Sequence, residues 1–203
     1  MNYWFTADHH FDHKMVIEYA NRPFKTQEGK PDVELMNETM ISNHNEVVAP
    51  NDHVYFLGDL GLTTTPERIY DYIKRMNGVK FWVPGNHDMT LRKSGRLMML
   101  FEWCRDITEI QIPDPTLPSK HKRQSIVLCH YAMRVWNKSH HGSWQLYGHS
   151  HGSLKDDPHI RQIDVGVDCW DYFPAAYDEI KLEMAKKDWQ PVDHHRAREN
   201  GTI

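Results

Sequence analysis

The feature that most limits the fold is a set of short apolar runs, each ending at histidine, aspartate or asparagine. The runs are residues 2–6, 53–57, 79–83 and 125–129, and the polar residues that follow them are Asp8, Asp59, Asn86 and His130. Runs of this length bounded by turn residues are typical of buried strands. The sequence therefore predicts strands whose carboxyl ends carry polar side chains.

Segments with helical spacing separate the first three of these strands. The first helix is predicted by Val33, Met36, Met40, Ile41, His44 and Val47. The second follows the helix start Thr65-Pro66 and has apolar positions at Ile69, Tyr72, Ile73 and Met76. Alternating strands and helices predict an α/β fold, in which ligand groups collect beyond the carboxyl ends of parallel strands.

The pattern changes after Cys129. Residues 144–147, 159–165 and 179–184 are interpreted as strands without clear helices between them, which favours a second sheet packed on the first. Residues 111–123 contain three prolines and several charges, so a surface loop is predicted there. We expect one domain over residues 1–185, followed by a polar tail over residues 186–203.

Composition limits the partners and the compartment. The 24 basic and 28 acidic residues give a net charge of -4, so no overall positive field holds a long nucleic acid. The basic segments 92–96 and 120–123 are more typical of solvated loops. The three cysteines have no CxxC spacing and are predicted to be free, buried thiols in a reducing compartment. Without a targeting or membrane-spanning segment, we expect a cytoplasmic location and no membrane partner.

The first polar cluster is Asp8 and His10. Residues two apart at a strand end leave on the same face, so these side chains form half of a metal site while His9 points the other way. The same letters recur at Asp193, His194 and His195. There the polar surroundings favour a solvated tail.

The next two clusters follow the second and third strands. Asp59 is predicted to bridge two cations, although a lone Gly-Asp pair is more often a turn or a helix cap. In the string Gly85-Asn86-His87-Asp88, the amide oxygen of Asn86 is a neutral metal ligand, and His87 beside it would face a substrate. The structural alternative is a turn in which Asn86 bonds backbone groups.

Histidines end the remaining strands. His130 follows the fourth run, and His149 and His151 lie two apart, on one face of an extended segment. A single histidine at a strand end is usually a hydrogen-bonded structural group. Five such clusters in one chain favour a shared metal site.

These five blocks resemble the motifs of the calcineurin-like metallophosphoesterases, which are D-x-H, GD, GNH[DE], H and GHxH. All five occur in order between residues 8 and 151, about three quarters of the chain. Leu62 stands where many members have a charged residue that is not a metal ligand. The segments ADHHFDHKMVIEYANRPF and HYAMRVWNKSHHGSW are similar to a small bacterial and phage subgroup.

The resemblance implies an αββα sandwich of two packed mixed sheets flanked by helices. It also implies that Asp8, His10 and His151 hold one divalent cation and that Asn86, His130 and His149 hold another. Asp59 bridges the two cations. Nitrogen and carboxylate ligands without a thiolate fit manganese, iron or zinc, of which manganese is our preferred expectation.

The activity implied is hydrolysis of phosphomonoesters or phosphodiesters by a metal-bridging hydroxide. We expect His87 to protonate the leaving oxygen and Asp88 to orient His87. Arg134 and Trp136 are weaker candidates for substrate contact, by holding a phosphate and by stacking. The alternatives are a surface salt bridge for Arg134 and a core position for Trp136, which is the more common one for tryptophan. Arg22 and Lys14 are interpreted as surface residues, with closure of the site as the alternative.

The substrate is expected to be a phosphate ester, with nucleotides and short nucleic acids as candidates. One alternative function is a non-catalytic, metal-containing interaction module of the same fold, which would not need His87. Another is a dinuclear hydrolase of other bonds, against which the order of the five blocks argues.

Overall fold

The computed structural model describes residues 1–62, 65–118, 120 and 122–190. The strands found there are β1 (Tyr3–Thr6), β2 (His53–Phe56), β3 (Val79–Trp82), β4 (Phe101–Cys104), β5 (Ile107–Pro113), β6 (Arg123–Cys129), β7 (Trp144–Tyr147), β8 (Gln162–Asp164) and β9 (Ala175–Ala176). The α-helices found there are α1 (Val16–Tyr19), α2 (Val33–Val47), α3 (Pro66–Arg75), α4 (Gly95–Met98) and α5 (Tyr177–Ala185).

The strands form two mixed sheets. The first has the order β4-β3-β2-β1-β9, in which β1 to β4 are parallel and β9 is antiparallel to β1. The second has the order β5-β6-β7-β8, in which β5 is antiparallel and the other three strands are parallel. The predicted α/β class with a second sheet is confirmed.

Strand alternation divides the core into two clusters. Along β2, Val54 and Phe56 pack on the side of the helices, whereas Tyr55 and Leu57 pack against the second sheet. The cluster between the sheets includes Ile126, Leu128 and Leu146 from the second sheet. The two sheets therefore lie face to face.

The helices α2 and α3 confirm the predicted spacing. The helix α2 begins after Asp32, whose carboxylate accepts a hydrogen bond from the backbone N–H of Leu35, and it buries Met36, Met40 and Ile41. Pro66 occupies the first turn of α3, where a missing N–H costs no hydrogen bond. The buried hydrophobic residues of α1 to α4 all belong to the cluster on the outer face of the first sheet.

Two sequence predictions are wrong in this part of the molecule. Residues 179–184 were expected to form a strand, but they lie within α5. Their alternating polar and apolar letters imitate a strand, yet the helix buries Tyr177, Ile180 and Met184 and leaves Leu182 65% exposed. Cys169 is exposed rather than buried, whereas Cys129 is buried as expected.

Other boundaries differ only slightly. The predicted loop 111–123 is shorter, because β5 continues to Pro113 and β6 starts at Arg123. The longest helix, α2, has 15 residues, and within the described ranges no helix has both the length and the apolar character to cross a membrane. Asp193, His194 and His195 of the predicted tail lie outside the described residues.

Candidate metal centre

The predicted ligands meet where strands of both sheets end. Asp8 and His10 follow β1, Asp59 follows β2, and Asn86 follows β3. From the second sheet, His130 follows β6, and His149 and His151 follow β7. A parallel bridge between Ala7 and Gly166 joins the ends of β1 and β8, so the two sheets converge at this edge.

The ligand atoms form two groups. In the first, Asp8, His10 and His151 each offer one atom, and these atoms lie within 4.8 Å of one another. Asp59, His130 and His149 form the second group by the same measure. Groups of this composition suit a borderline divalent cation.

Asn86 and Asp59 complete the arrangement. The amide oxygen Oδ1 of Asn86 lies 3.2 Å from Nε2 of His130, which adds Asn86 to the second group. The Oδ2 atom of Asp59 lies 3.5 Å from Nε2 of His10 and 3.5 Å from Nε2 of His130. Asp59 is thus equally close to one histidine of each group, which is the position that a bridging carboxylate needs.

Local backbone geometry turns these side chains inward. Five of the ligands are non-glycine residues in the left-handed region, with φ of 59° at Asp8, 50° at His10, 51° at Asp59, 70° at His149 and 47° at His151. This conformation is uncommon for residues other than glycine and clusters at functional sites, where the surrounding fold enforces it. The chain therefore turns sharply after β1, β2 and β7, where these five side chains meet.

Gly58, in the Gly-Asp block, allows the turn after β2 to lie close to Gly85 and His130. Its φ is 97°, and a Cβ added there would lie 2.5 Å from the Gly85 nitrogen and 2.5 Å from Nδ1 of His130. A side chain would therefore separate the β2 turn from both neighbouring ligand loops.

Hydrogen bonds fix the ligands before any cation binds. Oδ2 of Asp8 accepts from the His149 backbone N–H at 2.8 Å. Nδ1 of His130 lies 2.7 Å from the Leu57 carbonyl oxygen, to which it donates, so the Nε2 lone pair faces the centre. Preset ligand orientation lowers the ordering cost of binding a cation.

Two buried groups of the first half of the site lack partners. Among the described residues, Oδ1 of Asp8 and Nε2 of His10 are buried without a hydrogen bond. Burial raises the pKa of Asp8 to about 7 and lowers the pKa of His10 to about 2, although nearby charges oppose each shift in part. Burial therefore makes the Asp8 anion costly and keeps the imidazole of His10 neutral, and a cation between them would satisfy both.

The second ligand group differs because its carboxylate, Asp59, already accepts a hydrogen bond from the His87 backbone N–H. Burial alone would raise the pKa of Asp59, but hydrogen bonding and charge from His130 outweigh it and lower the pKa to about 2. Burial likewise opposes the shift of His130, whose pKa is nevertheless raised by Asp59. Asp59 therefore remains an anion at neutral pH, as a bridging ligand must.

A buried ion pair that the sequence reading missed supports His151. Oδ2 of Asp168 lies 2.6 Å from Nδ1 of His151, and Arg22 donates to both carboxylate oxygens of Asp168 at 2.8 Å. Arg22 also donates to the backbone carbonyls of Asp8 and His9. The prediction of a surface Arg22 is wrong, because its side chain is fully buried beneath the ligands.

His87 and Asp88 have different positions. The ring of His87 is exposed, with its centroid 5.2 Å from that of His10. Asp88 is buried, and its carboxylate accepts from the backbone N–H groups of Gly85, Asp59 and Leu60. These bonds hold the backbone of the turn that carries His87, and the role of Asp88 in orienting His87 stays a prediction.

The weaker substrate candidates have separate outcomes. Trp136 is buried, and its indole N–H donates to Oγ of Ser143 at 3.0 Å, which confirms the core alternative and contradicts stacking on a substrate. Arg134 is exposed, and its role stays a prediction. Tyr131 was not predicted, yet its ring centroid lies 4.8 Å from that of His149 and its hydroxyl 3.4 Å from Oδ1 of Asn86.

Two clefts reach the centre. The first, about 510 Å³, is lined by His10, His13, Tyr19, His87, His149 and His151, among others. The second, about 450 Å³, is lined by Asn86, Met89, Arg92, Ile107, His130 and Tyr131, among others. The two clefts share no lining residue, and the neighbours Asn86 and His87 separate them.

The chain matches known proteins over most of its length. It is 30% identical over 180 residues to an uncharacterized protein, MJ1445, of Methanocaldococcus jannaschii, covering 86% of each chain. The two proteins belong to one family. The Gene 66 protein of Mycobacterium phage L5 is 29% identical over 200 residues, with 88% of this chain and 92% of the phage protein covered.

A solved structure shares the fold. The crystal structure of AQ665, a protein of unknown function from Aquifex aeolicus, has a TM-score of 0.62 and 20% sequence identity. The similarity covers 90% of this chain and 98% of the other. No family model matches the sequence.

Proposed function

We propose that the chain is a dinuclear-metal-dependent phosphoesterase. In this proposal Asp8, His10 and His151 hold one divalent cation, Asn86, His130 and His149 hold the other, and Asp59 bridges them. The observation that carries the proposal is the position of Asp59 Oδ2, 3.5 Å from Nε2 of His10 and of His130. Manganese is our preferred cation, and the imidazole and carboxylate donors also fit iron and zinc.

The donor set fits two cations. Asp8 Oδ1 and His10 Nε2, which have no hydrogen bond among the described residues, are buried where a cation would satisfy them. The carboxylates of Asp8 and Asp59 leave two cations with surplus positive charge, which attracts a phosphate. When bound, such a pair polarises phosphate oxygens and lowers the pKa of a water that attacks in line.

The chain supplies the remaining groups. Since His87 is exposed at the mouth of the site, it is available to protonate the oxygen that leaves phosphorus. Its position is set by its backbone N–H, which donates to Oδ1 of Asp59 at 2.9 Å, and by the bonds of Asp88. The turn that carries His87, the proposed acid for the leaving oxygen, is thus hydrogen-bonded to Asp59, the proposed bridging ligand. Arg22 and Asp168 hold His151 in place.

The fold we propose is the αββα sandwich of the metallophosphoesterases. Three features support it: two mixed sheets lie face to face, helices cover the outer face of the first, and the motif blocks end strands of both sheets.

The activity is tested with the manganese-loaded protein. It is expected to hydrolyse p-nitrophenyl phosphate or bis(p-nitrophenyl) phosphate, and chelation is expected to abolish turnover. If protein that carries two cations hydrolysed neither ester, the proposal would be overturned.

Two variants separate the assigned roles. His87→Ala is expected to lower kcat by roughly a hundredfold or more while metal content stays near that of the parent. Asp59→Ala is expected to lose cations together with activity. If His87→Ala instead removed the cations, His87 would be a ligand rather than an acid.

A further inference from the structure

Two clefts meet at the candidate metal centre from different sides. The first borders His10 and His151 of one ligand group and His149 of the other, and the second borders Asn86 and His130, also of that other group. A phosphorus atom held between the groups would therefore lie beside both clefts. A phosphomonoester has one organic substituent, whereas a phosphodiester has two.

Each cleft is large enough for its own substituent. Their volumes are about 510 and 450 Å³. Pockets for small organic ligands cover roughly 300 to 1,000 Å³, so neither cleft is merely space for the phosphate. A monoester would leave one of them unused.

The second cleft has an apolar lining. Met89 is 63% exposed and Ile107 57% exposed, and the ring of Tyr131 stands beside them. The guanidinium of Arg92 at this cleft is paired with Asp106 at 2.7 Å, so its charge is largely compensated. Exposed apolar side chains grouped beside a polar centre indicate contact with an apolar or aromatic group.

The first cleft combines hydrogen-bonding groups with one exposed ring. His13, Asn21, Ser150 and Ser153 line it, and Tyr19 is 76% exposed at its edge. Nδ1 of His13 lies 3.3 Å from Nδ1 of His10, so the polar lining is continuous with the ligands. This cleft suits a second group with polar substituents and a planar face for Tyr19.

We propose that the substrate is a phosphodiester with an aromatic group on at least one side, as in a nucleotide ester. The two substituents occupy the two clefts, with the more apolar one between Ile107 and Tyr131. This inference rests on the proposed phosphoesterase function and selects the diester from the two ester classes.

The test compares two substrates in the manganese-loaded protein. The kcat/KM for bis(p-nitrophenyl) phosphate is expected to exceed that for p-nitrophenyl phosphate at least roughly tenfold. Equal or better hydrolysis of the monoester would overturn the diester inference and leave the phosphoesterase proposal standing. Hydrolysis of neither ester would overturn both.

Variants show whether both clefts are used. Ile107→Ala and Tyr19→Ala each remove one exposed side chain from one cleft, and each is expected to lower kcat/KM for the diester at least roughly fivefold. The two losses should multiply in the double variant, whereas the monoester should respond to at most one of them. A diester that responds to only one variant would contradict occupancy of both clefts.

The matched control is Leu182→Ala. Leu182 is 65% exposed on α5 and lines neither cleft, so the variant is expected to keep parental rates for both esters. Far-ultraviolet circular dichroism and thermal unfolding of all variants check that the fold is retained. An equal loss of diester hydrolysis in Leu182→Ala would show that the effects are not specific to the clefts.

Discussion

Buried carboxylates at the two ends of the first sheet have opposite surroundings. At the carboxyl ends of the strands, Asp8 is buried with one oxygen lacking a partner among the described residues. At the amino ends, Asp52 is equally buried, but it accepts hydrogen bonds from Asn2, Trp4 and the Ala49 backbone. Burial raises the pKa of Asp8, whereas at Asp52 these bonds outweigh burial and lower the pKa.

The two carboxylates differ in whether their hydrogen bonds are complete without a ligand. Hydrogen bonds to Asp52 tie the start of β1 to the turn before β2 without needing a ligand. Asp8 has an uncommon backbone conformation and an unsatisfied oxygen, both of which oppose folding in the absence of a cation. The hydrogen bonds at the amino ends of the strands stabilise the fold, and in our proposal the carboxyl ends bind the cations.

The largest effect is expected at Asp8. The Asp8→Asn variant should lose at least roughly a thousandfold in activity, because a charged ligand is removed. The free energy of unfolding of the metal-free protein should be unchanged or higher, since a neutral amide is less costly to bury and asparagine tolerates the left-handed backbone. Urea unfolding in the presence of a chelator measures this free energy, and a clear destabilisation would contradict the contrast between Asp8 and Asp52.

The next effect is expected at Asp168. The Asp168→Asn variant should weaken manganese binding to one of two sites by about 10- to 100-fold, because His151 loses the carboxylate that orients it. Isothermal titration resolves the two sites, and thermal unfolding reports separately on the contact with Arg22. The control is Asp171→Asn, an exposed change three residues away. Equal weakening of both sites would refute a role confined to His151.

A smaller effect is expected at Asp52. The Asp52→Ala variant should lower the free energy of unfolding by about 1 to 3 kcal/mol, because the donors of Trp4 and Ala49 lose their acceptor. Its kcat with saturating manganese should stay within about twofold of the parent. The exposed Asp71→Ala on α3 serves as control. If Asp52→Ala lost as much activity as Asp8→Asn, the two ends of the first sheet would not differ in function.

The smallest effect concerns pH at Asp114, which follows β5 in the second sheet, beside the start of β6. Burial alone would raise the pKa of Asp114, but hydrogen bonds from Lys181, Thr116 and Tyr177 outweigh it and hold the pKa below its usual value near 3.8. The unfolded chain therefore binds this proton more readily. The stabilisation by Asp114 is present above about pH 4 and is lost as the pH falls further.

The Asp114→Asn variant tests this sign. Its unfolding free energy, measured in urea between about pH 6 and pH 2, should fall less steeply with acid than that of the parent. Parallel curves for the two proteins would contradict the assignment.

The strands and the ligand positions were predictable because local signals determine them. The runs before Asp8, Asp59 and Asn86 are short, apolar and bounded by turns, and they form β1, β2 and β3. Parallel strands bring their carboxyl ends to one edge, so the grouping of the ligands followed from topology. The spacing of α2 and α3 was equally clear.

The features that the sequence did not predict depend on tertiary contacts. Arg22 and Asp168 are 146 residues apart, and neither belongs to the five motif blocks, so the sequence did not indicate their buried ion pair. Residues 179–184 carry a strand-like alternation, but burial of Ile180 and Met184 against the core selects a helix. Trp136 lies close to His130 in the sequence, yet its side chain is buried in the protein.

The most direct test of the central claim is anomalous diffraction from crystals grown with manganese. We predict two anomalous peaks about 3.5 to 4 Å apart, with Asp59 between them. One peak should contact Asp8, and the other should contact His130. A single peak, or side chains of these residues turned away from both positions, would contradict the account.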